Sequence, residues 1–268
     1  TFPGAWYTIA IDVIMPNGRT LQVASCHHYK DQWAKAFDIT YQNEDGDTQY
    51  CHQTTYGMSE RLLGAVVGMH GDDNGLILQP PIAPIQVEIM PVAQNKSPDV
   101  SVAVESSAEI LRNAGYRIKI DDRDLRPGQK YWDWEIKGVP LRLEIGPRDI
   151  ENGTAFAARS TGEKESISLQ NILVDVQNQL EIIESELANR SNQYVNDSVI
   201  QLNDMNDEIL DGRIYEIAFD GTDADAEILE KATGLVILGD SMTPYESEQP
   251  CIVTGVMTTR RQHLARMY

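Results

Sequence analysis

Cysteine is scarce in this sequence: Cys26, Cys51 and Cys251 are the only three in 268 residues. So few, so widely spaced, they exclude a disulfide framework and fit a reducing compartment. No run of roughly eighteen apolar residues occurs, so no membrane-spanning helix is expected. The N-terminus lacks the charged, apolar and small-residue regions of a secretory signal, and a cytoplasmic location with no membrane association is expected. An initiating methionine is also lacking. Thr1-Phe2-Pro3-Gly4 is followed within a few residues by a β-like run, as though a fold were entered partway, and residues N-terminal to it are expected to be missing. Basic residues are few, with 22 Lys and Arg against 41 Asp and Glu and a formal charge of -19. Uniformly spread, that charge would repel nucleic acid, because phosphate binding needs local cations to displace counterions. It is not uniform: residues 112–164 hold eleven Lys or Arg against nine Asp or Glu, and residues 165–240 hold three against seventeen. The middle of the chain suits RNA and the later part a solvated acidic surface.

Hydrophobic residues make up 41% of the chain, enough for two or three cored domains. Alternation over 7–15, a turn at Pro16-Asn17-Gly18 and renewed alternation from Thr20 to Ala24 predict a β-hairpin. A second extended pair is expected at 38–42 and 48–52 around Glu44-Asp45-Gly46-Asp47. Residues 58–69 are apolar at most positions and read as a buried helix. Pro80, Pro81 and Pro84 then make a stiff linker, and the run from Ile85 to Met90 opens a new unit. There the pattern predicts a helix over 100–114, a strand over 116–120, a short helix over 131–136 and strands at 141–145 and 155–158. Leu169, Ile172, Leu173, Val176, Leu180, Ile183 and Leu187 then mark a long amphipathic helix. The expected fold class is α/β in three parts: an α+β segment with an antiparallel sheet (1–83), an α/β domain with a mixed sheet (84–190) and a small α+β domain (191–268).

Two places gather chemistry. In the segment from Gln22 to His28, an amide, a hydroxyl, a thiol and two imidazoles stand at a strand end. Cys26 and His27 are neighbours on a strand and point to opposite faces, which excludes a nucleophile-base pair. Cys51, His52 and His27 lack zinc-ligand spacing. A small-ligand pocket and ordinary polar residues both remain open. The second place is Arg61 at the head of the apolar helix. A buried cation there needs an anion, either Asp38 or Glu60 or the phosphates of a ligand whose flat ring it stacks on.

Several strings together resemble the class II prolyl-tRNA synthetases of the archaeal and eukaryotic-like type. They are Phe2-Pro3-Gly4-Ala5, Met15-Pro16-Asn17-Gly18-Arg19, Phe37-Asp38-Ile39, Tyr56-Gly57-Met58-Ser59-Glu60-Arg61, His70-Gly71-Asp72-Asp73-Asn74-Gly75-Leu76 and Ile82-Ala83-Pro84-Ile85-Gln86-Val87. Asp122-Arg123-Asp124, Arg126-Pro127-Gly128, Trp134-Glu135-Ile136-Lys137-Gly138-Val139-Pro140, Glu144-Ile145-Gly146-Pro147-Arg148-Asp149 and Gly162-Glu163-Lys164 resemble that family's anticodon-binding domain. The resemblance favours the prolyl over the threonyl enzymes. It implies activation of L-proline by ATP to a prolyl adenylate and transfer to the terminal ribose of tRNA(Pro), in a protein that is a homodimer when intact. Gln22 then matches a glutamine on the ATP and magnesium side, Ser25 an ATP-contacting position, and His27 the histidine of the proline pocket. Ser59 and Arg61 match the motif 3 residues on ATP, with Gln22 and Arg61 central to catalysis. Glu135, Arg142, Asp149 and Lys164 resemble the readers of the two anticodon guanines.

The sequence departs from the family in places. The usual Leu-Gly-Gln-Asn-Phe is Tyr29-Lys30-Asp31-Gln32-Trp33, and Trp6 replaces an acidic residue. Of the four cysteines that hold zinc in many relatives, only Cys251 stands at a matching position, with Thr254, Asp220 and Asp225 at the others, so no structural zinc is expected. Tyr268 matches the family's C-terminal residue, whose carboxylate reaches toward the active site. Motifs 1 and 2 have no counterpart, and the 268 residues alone are expected not to form the adenylate. The competing reading is a non-catalytic paralogue that binds tRNA.

Overall fold

The computed structural model describes residues 2–268. They fall into two compact units, residues 2–68 with 194–268 and residues 69–193.

In the first unit, β1 (Tyr7–Ile14) and β2 (Thr20–Lys30) form the expected antiparallel hairpin. Its turn requires Gly18, which has a φ of +73° and where a Cβ would lie 2.0 Å from the Cα of Gly212. Strand β2 runs past Ala24 to Lys30, so the Cys26-His27-His28 string lies within it. A short helix, α1 (Gln32–Phe37), and the expected second hairpin, β3 (Thr40–Gln42) with β4 (Thr48–Tyr50), lead to β5 (Gln53–Met58). Strand β5 pairs antiparallel with β2, giving a sheet in the order β1-β2-β5.

Helix α2 (Arg61–His70) forms where expected, but it is not buried. Leu63 is 62% exposed, Leu62 and Val67 are also exposed, and only Ala65 and His70 are buried. Apolar composition sets which surface seeks cover, and no described residue covers this one. Arg61 is likewise exposed and forms no ion pair with Asp38 or Glu60 among the described residues, so the helix head holds no buried cation needing compensation.

The second unit is built on β6 (Val87–Pro91), α3 (Pro98–Asn113), β7 (Ile118–Ile120), α4 (Pro127–Ile136), β8 (Leu141–Ile145), α5 (Pro147–Asn152), β9 (Thr154–Arg159), β10 (Lys164–Ser168) and α6 (Ile172–Ser198). The sheet order is β10-β9-β8-β6-β7, with β6 parallel to β7 and β8 and the β8-β9 and β9-β10 pairs antiparallel, a mixed sheet as expected. One face carries the core: Val87, Ile89, Leu141, Leu143 and Ile145 pack with Val104, Ala108 and Leu111 of α3 and with Ile172, Val176, Leu180, Ile183 and Leu187 of α6. These last five belong to the seven-residue apolar stripe read from the sequence; Leu169 is only partly buried and Leu173 is exposed. The prolyl segment is pinned by Arg117, which donates from Nε to the Ala83 carbonyl (2.8 Å) and from Nη2 to those of Pro80 and Pro81 (both 3.0 Å).

The other sheet face is polar. Register places Lys164, Ala158, Arg142, Glu88 and Lys119 in one row across all five strands. Helix α4 lies on that side, starting at Pro127, whose fixed φ suits a first helical position.

The acidic remainder returns to the first unit as β11 (Val199–Gln201), β12 (Ile214–Ala218), α7 (Asp223–Thr233), β13 (Val236–Asp240), the short pair β14 (Gln249–Pro250) and β15 (Met257–Thr258), and β16 (Arg261–Ala265). Its sheet runs β11-β12-β16-β13 around Tyr215, Ile217, Phe219, Leu229, Leu235, Cys251 and Leu264. The last residues lie along the start of β2. Thr20 N–H donates to the Arg266 carbonyl (2.9 Å), Tyr268 N–H to the Thr20 carbonyl (3.2 Å), and Asn17 Nδ2 to the Tyr268 hydroxyl (2.8 Å).

Candidate functional site

The first group sits on the β1-β2-β5 sheet. His27 is held from both ring nitrogens: Nδ1 is 2.9 Å from Thr8 Oγ1 and Nε2 is 3.0 Å from Ser25 Oγ. Its ring lies 4.6 Å from that of Phe2 and 6.0 Å from that of Tyr29, centroid to centroid. Period-2 geometry puts Ser25 and His27 on one face, in a partly buried aromatic setting. Gln22 lies opposite Asp12 across the hairpin. Asp12 Oδ1 is buried with no hydrogen-bond partner among the described residues, and burial raises its carboxyl pKa. Ser59 precedes α2, its hydroxyl accepting from the Arg61 N–H at 3.3 Å, which leaves the Arg61 guanidinium in solvent at the helix head.

Both departures from the family pattern noted above fall here, and they meet. Lys30 has a φ of +49°, a conformation glycine adopts without strain. Its ammonium lies 3.5 Å over the Trp6 ring. Lys30 and Trp6 thus form a cation-π contact, worth about 0.5–2 kcal/mol, that ties the segment before β1 to the end of β2.

The second group lines a cavity of about 270 Å³ on the polar side of the five-stranded sheet. Glu135, Arg142 and Lys164 all open onto it, from α4, β8 and β10. Asp149 does not line it: its Oδ2 accepts the Gly146 N–H at 2.8 Å and caps α5. The turn containing Asp72, Asn74 and Gly75 forms one wall. Gly75 allows this wall to approach, because a Cβ there would lie 2.4 Å from the Glu135 carbonyl oxygen.

Arg142 has a well-defined place. Its Nε donates to Glu144 Oε1 at 3.1 Å, its Nη1 reaches Glu135 Oε1 at 3.4 Å, and its guanidinium carbon lies 3.9 Å over the Tyr131 ring. Tyr131 donates its hydroxyl to Glu144 Oε2 at 2.8 Å. Sequence reasoning singled out Arg142 and missed Glu144 and Tyr131. The signal for Glu144 was its spacing of two from Arg142 on a strand, which puts both on one face. Deeper still, Asp121 is fully buried and accepts from Arg123 Nε (2.8 Å), Arg123 Nη2 (2.7 Å) and Trp134 Nε1 (2.7 Å). Lys130 Nζ donates to the Asp121 carbonyl at 2.9 Å.

The residues matching a zinc site serve other ends. Asp220 binds Arg260 at 2.7 Å, and Asp225 caps α7 by accepting from the Thr222 N–H and hydroxyl, each at 2.8 Å. Cys251 is buried and accepts from the Asp220 N–H at 3.4 Å. Burial alone would raise its thiol pKa, but hydrogen bonds from Asp220 and Thr254 bring it below its usual value. Among the described residues no group of three or more His, Cys, Asp or Glu is placed to hold a metal ion.

The chain is similar to known proteins along its length. Residues 86–179 match the anticodon binding domain family. The proline–tRNA ligase of Methanosarcina mazei is 42% identical over 100% of this chain and 57% of its own length, and that of Thermococcus kodakarensis 43% over 92% and 52%. The structure of Giardia lamblia prolyl-tRNA synthetase in complex with prolyl-adenylate matches with a TM-score of 0.90, at 28% identity, over 100% of this chain and 59% of that one. The chain spans little more than half the length of these relatives. Similarity at this level, running through both units, establishes that the chain belongs to the prolyl-tRNA synthetase family.

Proposed function

We propose that the intact protein attaches L-proline to tRNA(Pro) through a prolyl adenylate, and that residues 1–83, 84–190 and 191–268 divide its labour as catalytic segment, anticodon-binding domain and C-terminal domain. The observation that carries this reading is the end-to-end likeness to proline–tRNA ligases. In adenylate formation the proline carboxylate attacks the α-phosphate of ATP and pyrophosphate leaves; the terminal ribose hydroxyl of the tRNA then attacks the acyl carbon and AMP leaves. No protein nucleophile is needed, so the chain's contribution is orientation and fixed charge. His27, fixed from both nitrogens, shapes the proline pocket. Ser25, Ser59 and Arg61 contact ATP, and the exposed Arg61 guanidinium is free to stack on adenine and meet the γ-phosphate. Gln22 and the unpartnered Asp12 oxygen offer the hard donors that suit a magnesium ion held mainly by phosphates. That ion would neutralise charge on the leaving pyrophosphate. Glu135, Arg142 and Lys164, which line one cavity, read the guanines; Asp149, expected beside them, lies outside it and caps α5. On the same reading the protein is a cytoplasmic homodimer.

Proline-dependent exchange of pyrophosphate into ATP by the full-length protein, with threonine as the control amino acid, tests the assignment. Exchange with proline alone is expected. Exchange with threonine would move the protein to the threonyl enzymes. No exchange with either, in a protein that binds tRNA with a guanine-guanine anticodon, would make it a tRNA-binding paralogue. We also propose that the C-terminal domain holds no zinc, since Asp220 and Asp225 are committed to Arg260 and to the α7 cap. Elemental analysis is expected to give far less than one zinc per chain, and a ratio near one would refute this.

A further inference from the structure

Arg142 is the hub of the charged cavity, and its surroundings settle which of its edges is available. A guanidinium offers two paired-donor edges, one from Nε and an Nη and one from both Nη groups. Here Nε is bound to Glu144 Oε1 at 3.1 Å, and the Arg142 side chain is only 11% exposed. The inner edge is therefore occupied. One face of the guanidinium is covered by the Tyr131 ring at 3.9 Å, and Tyr131 is fixed in turn by donating to the second oxygen of the same Glu144. Arg142, Glu144 and Tyr131 thus close a three-membered ring of contacts that fixes position, tilt and edge together. The phenol stays protonated throughout: burial, then the bond to Glu144, pushes its pKa up to about 12. The Nη1 contact to Glu135 is long, at 3.4 Å, and Glu135 is half-exposed, so this partner can be displaced.

We infer that Glu144 and Tyr131 are positioning residues for base recognition, holding Arg142 so that only its Nη1–Nη2 edge is presented and Glu135 is left free to turn to the incoming base. The inference rests on the anticodon reading of this cavity. Two parallel N–H groups match O6 and N7 of guanine, both acceptors, and mismatch adenine, where N6 is a donor. A carboxylate beside them accepts from N1 and N2 of guanine, on the edge that single-stranded RNA exposes. Discrimination of guanine from adenine then depends on how rigidly the Arg142 edge is held, which neither Glu144 nor Tyr131 touches directly.

The test uses the full-length protein and two tRNA(Pro) transcripts that differ by guanine or adenine at one anticodon position. For wild type, Glu144→Gln, Tyr131→Leu and Tyr131→Phe, the ratio of kcat/KM between the transcripts is measured beside proline-dependent pyrophosphate exchange, which does not involve the anticodon. Glu144→Gln and Tyr131→Leu are expected to cut the guanine-to-adenine ratio about tenfold with exchange unchanged. Tyr131→Phe keeps the stack, loses the hydroxyl bond and should fall between. Wild-type ratios in all three variants would overturn the inference. Failure of the wild type itself to discriminate would overturn the anticodon reading and this inference with it. A merely structural role would lower melting temperature and both transcripts together and leave the ratio unmoved, which would also overturn it.

Discussion

Replacing Asp121 by alanine is expected to destabilise the unit of residues 69–193 by about 3–5 kcal/mol, the usual consequence of removing one partner from a buried ionic cluster. Asp121 is fully buried, and the 95%-buried Lys130 ammonium lies 4.0 Å from its carboxylate. Without the carboxylate, that cation has no counter-charge, the Trp134 N–H loses its acceptor, and Arg123 keeps only Asp133. Lys130 and Trp134 are the residues by which α4 is anchored to the sheet edge, and the same helix carries Tyr131 and Glu135. The substitution should therefore weaken tRNA binding as well as folding. The pH dependence has a definite sign. Burial on its own would raise the Asp121 carboxyl, but hydrogen bonds from Arg123 and Trp134 prevail and hold it at about 2, below the ordinary 3.8. A depressed acid stabilises the fold fully above its unfolded pKa, and that stabilisation is lost as pH falls from about 4 through 2. Urea denaturation of wild type and Asp121→Asn should accordingly differ most at neutral pH and converge toward pH 2. Equal stability of the two at pH 7 would sink the argument.

Much of this fold was legible because its signals are periodic and local. The Pro16-Asn17-Gly18 turn, the stripe from Ile172 to Leu187 and the alternating strand Leu141–Ile145 each carry their own evidence in residue spacing. Helix α5 was missed because it is only six residues long and built on a proline and an aspartate cap rather than on an apolar stripe. Strand β10 was missed because it is an edge strand with mostly exposed residues, so no alternation marks it. The exposure of α2 shows the opposite limit: composition reveals that Leu62, Leu63 and Val67 suit burial, not whether the described chain covers them. At the candidate sites, residue type and string singled out Arg61, His27 and Arg142. Residues that act through a neighbour were not singled out. Glu144 and Tyr131 lie thirteen residues apart and meet only because α4 folds across β8. Lys30 and Trp6 look like two separate departures from a pattern until the structure puts one over the other.

Glu88 should respond to substitution in the direction opposite to Asp121. It stands in the polar row between Arg142 and Lys119, with no exposure and, among the described residues, no hydrogen-bond partner for either carboxyl oxygen. Burial, reinforced by the negative charges of Asp121 and Glu144 and only partly offset by Arg142 and Lys130, pushes its pKa up to about 8. At neutral pH the native protein therefore keeps this proton while the unfolded chain has released it. Where the folded state binds more protons, stability falls as pH rises, by about 1.4 kcal/mol per pH unit at most. For Glu88 that window runs from its unfolded value of 4.5 to about 8. Glu88→Gln preserves shape and neutrality and abolishes the titration. The variant should match wild type near pH 4 and become progressively more stable above it, by a few kcal/mol at pH 8. Parallel stability curves for the two proteins across pH 4–8 would show that Glu88 is ionised in the native state. Arg142 would then face a second buried anion, and its guanidinium would be drawn inward, away from the base it is proposed to read. A neutral Glu88 leaves Arg142 with one inner carboxylate, Glu144, and so with its outer edge free for guanine.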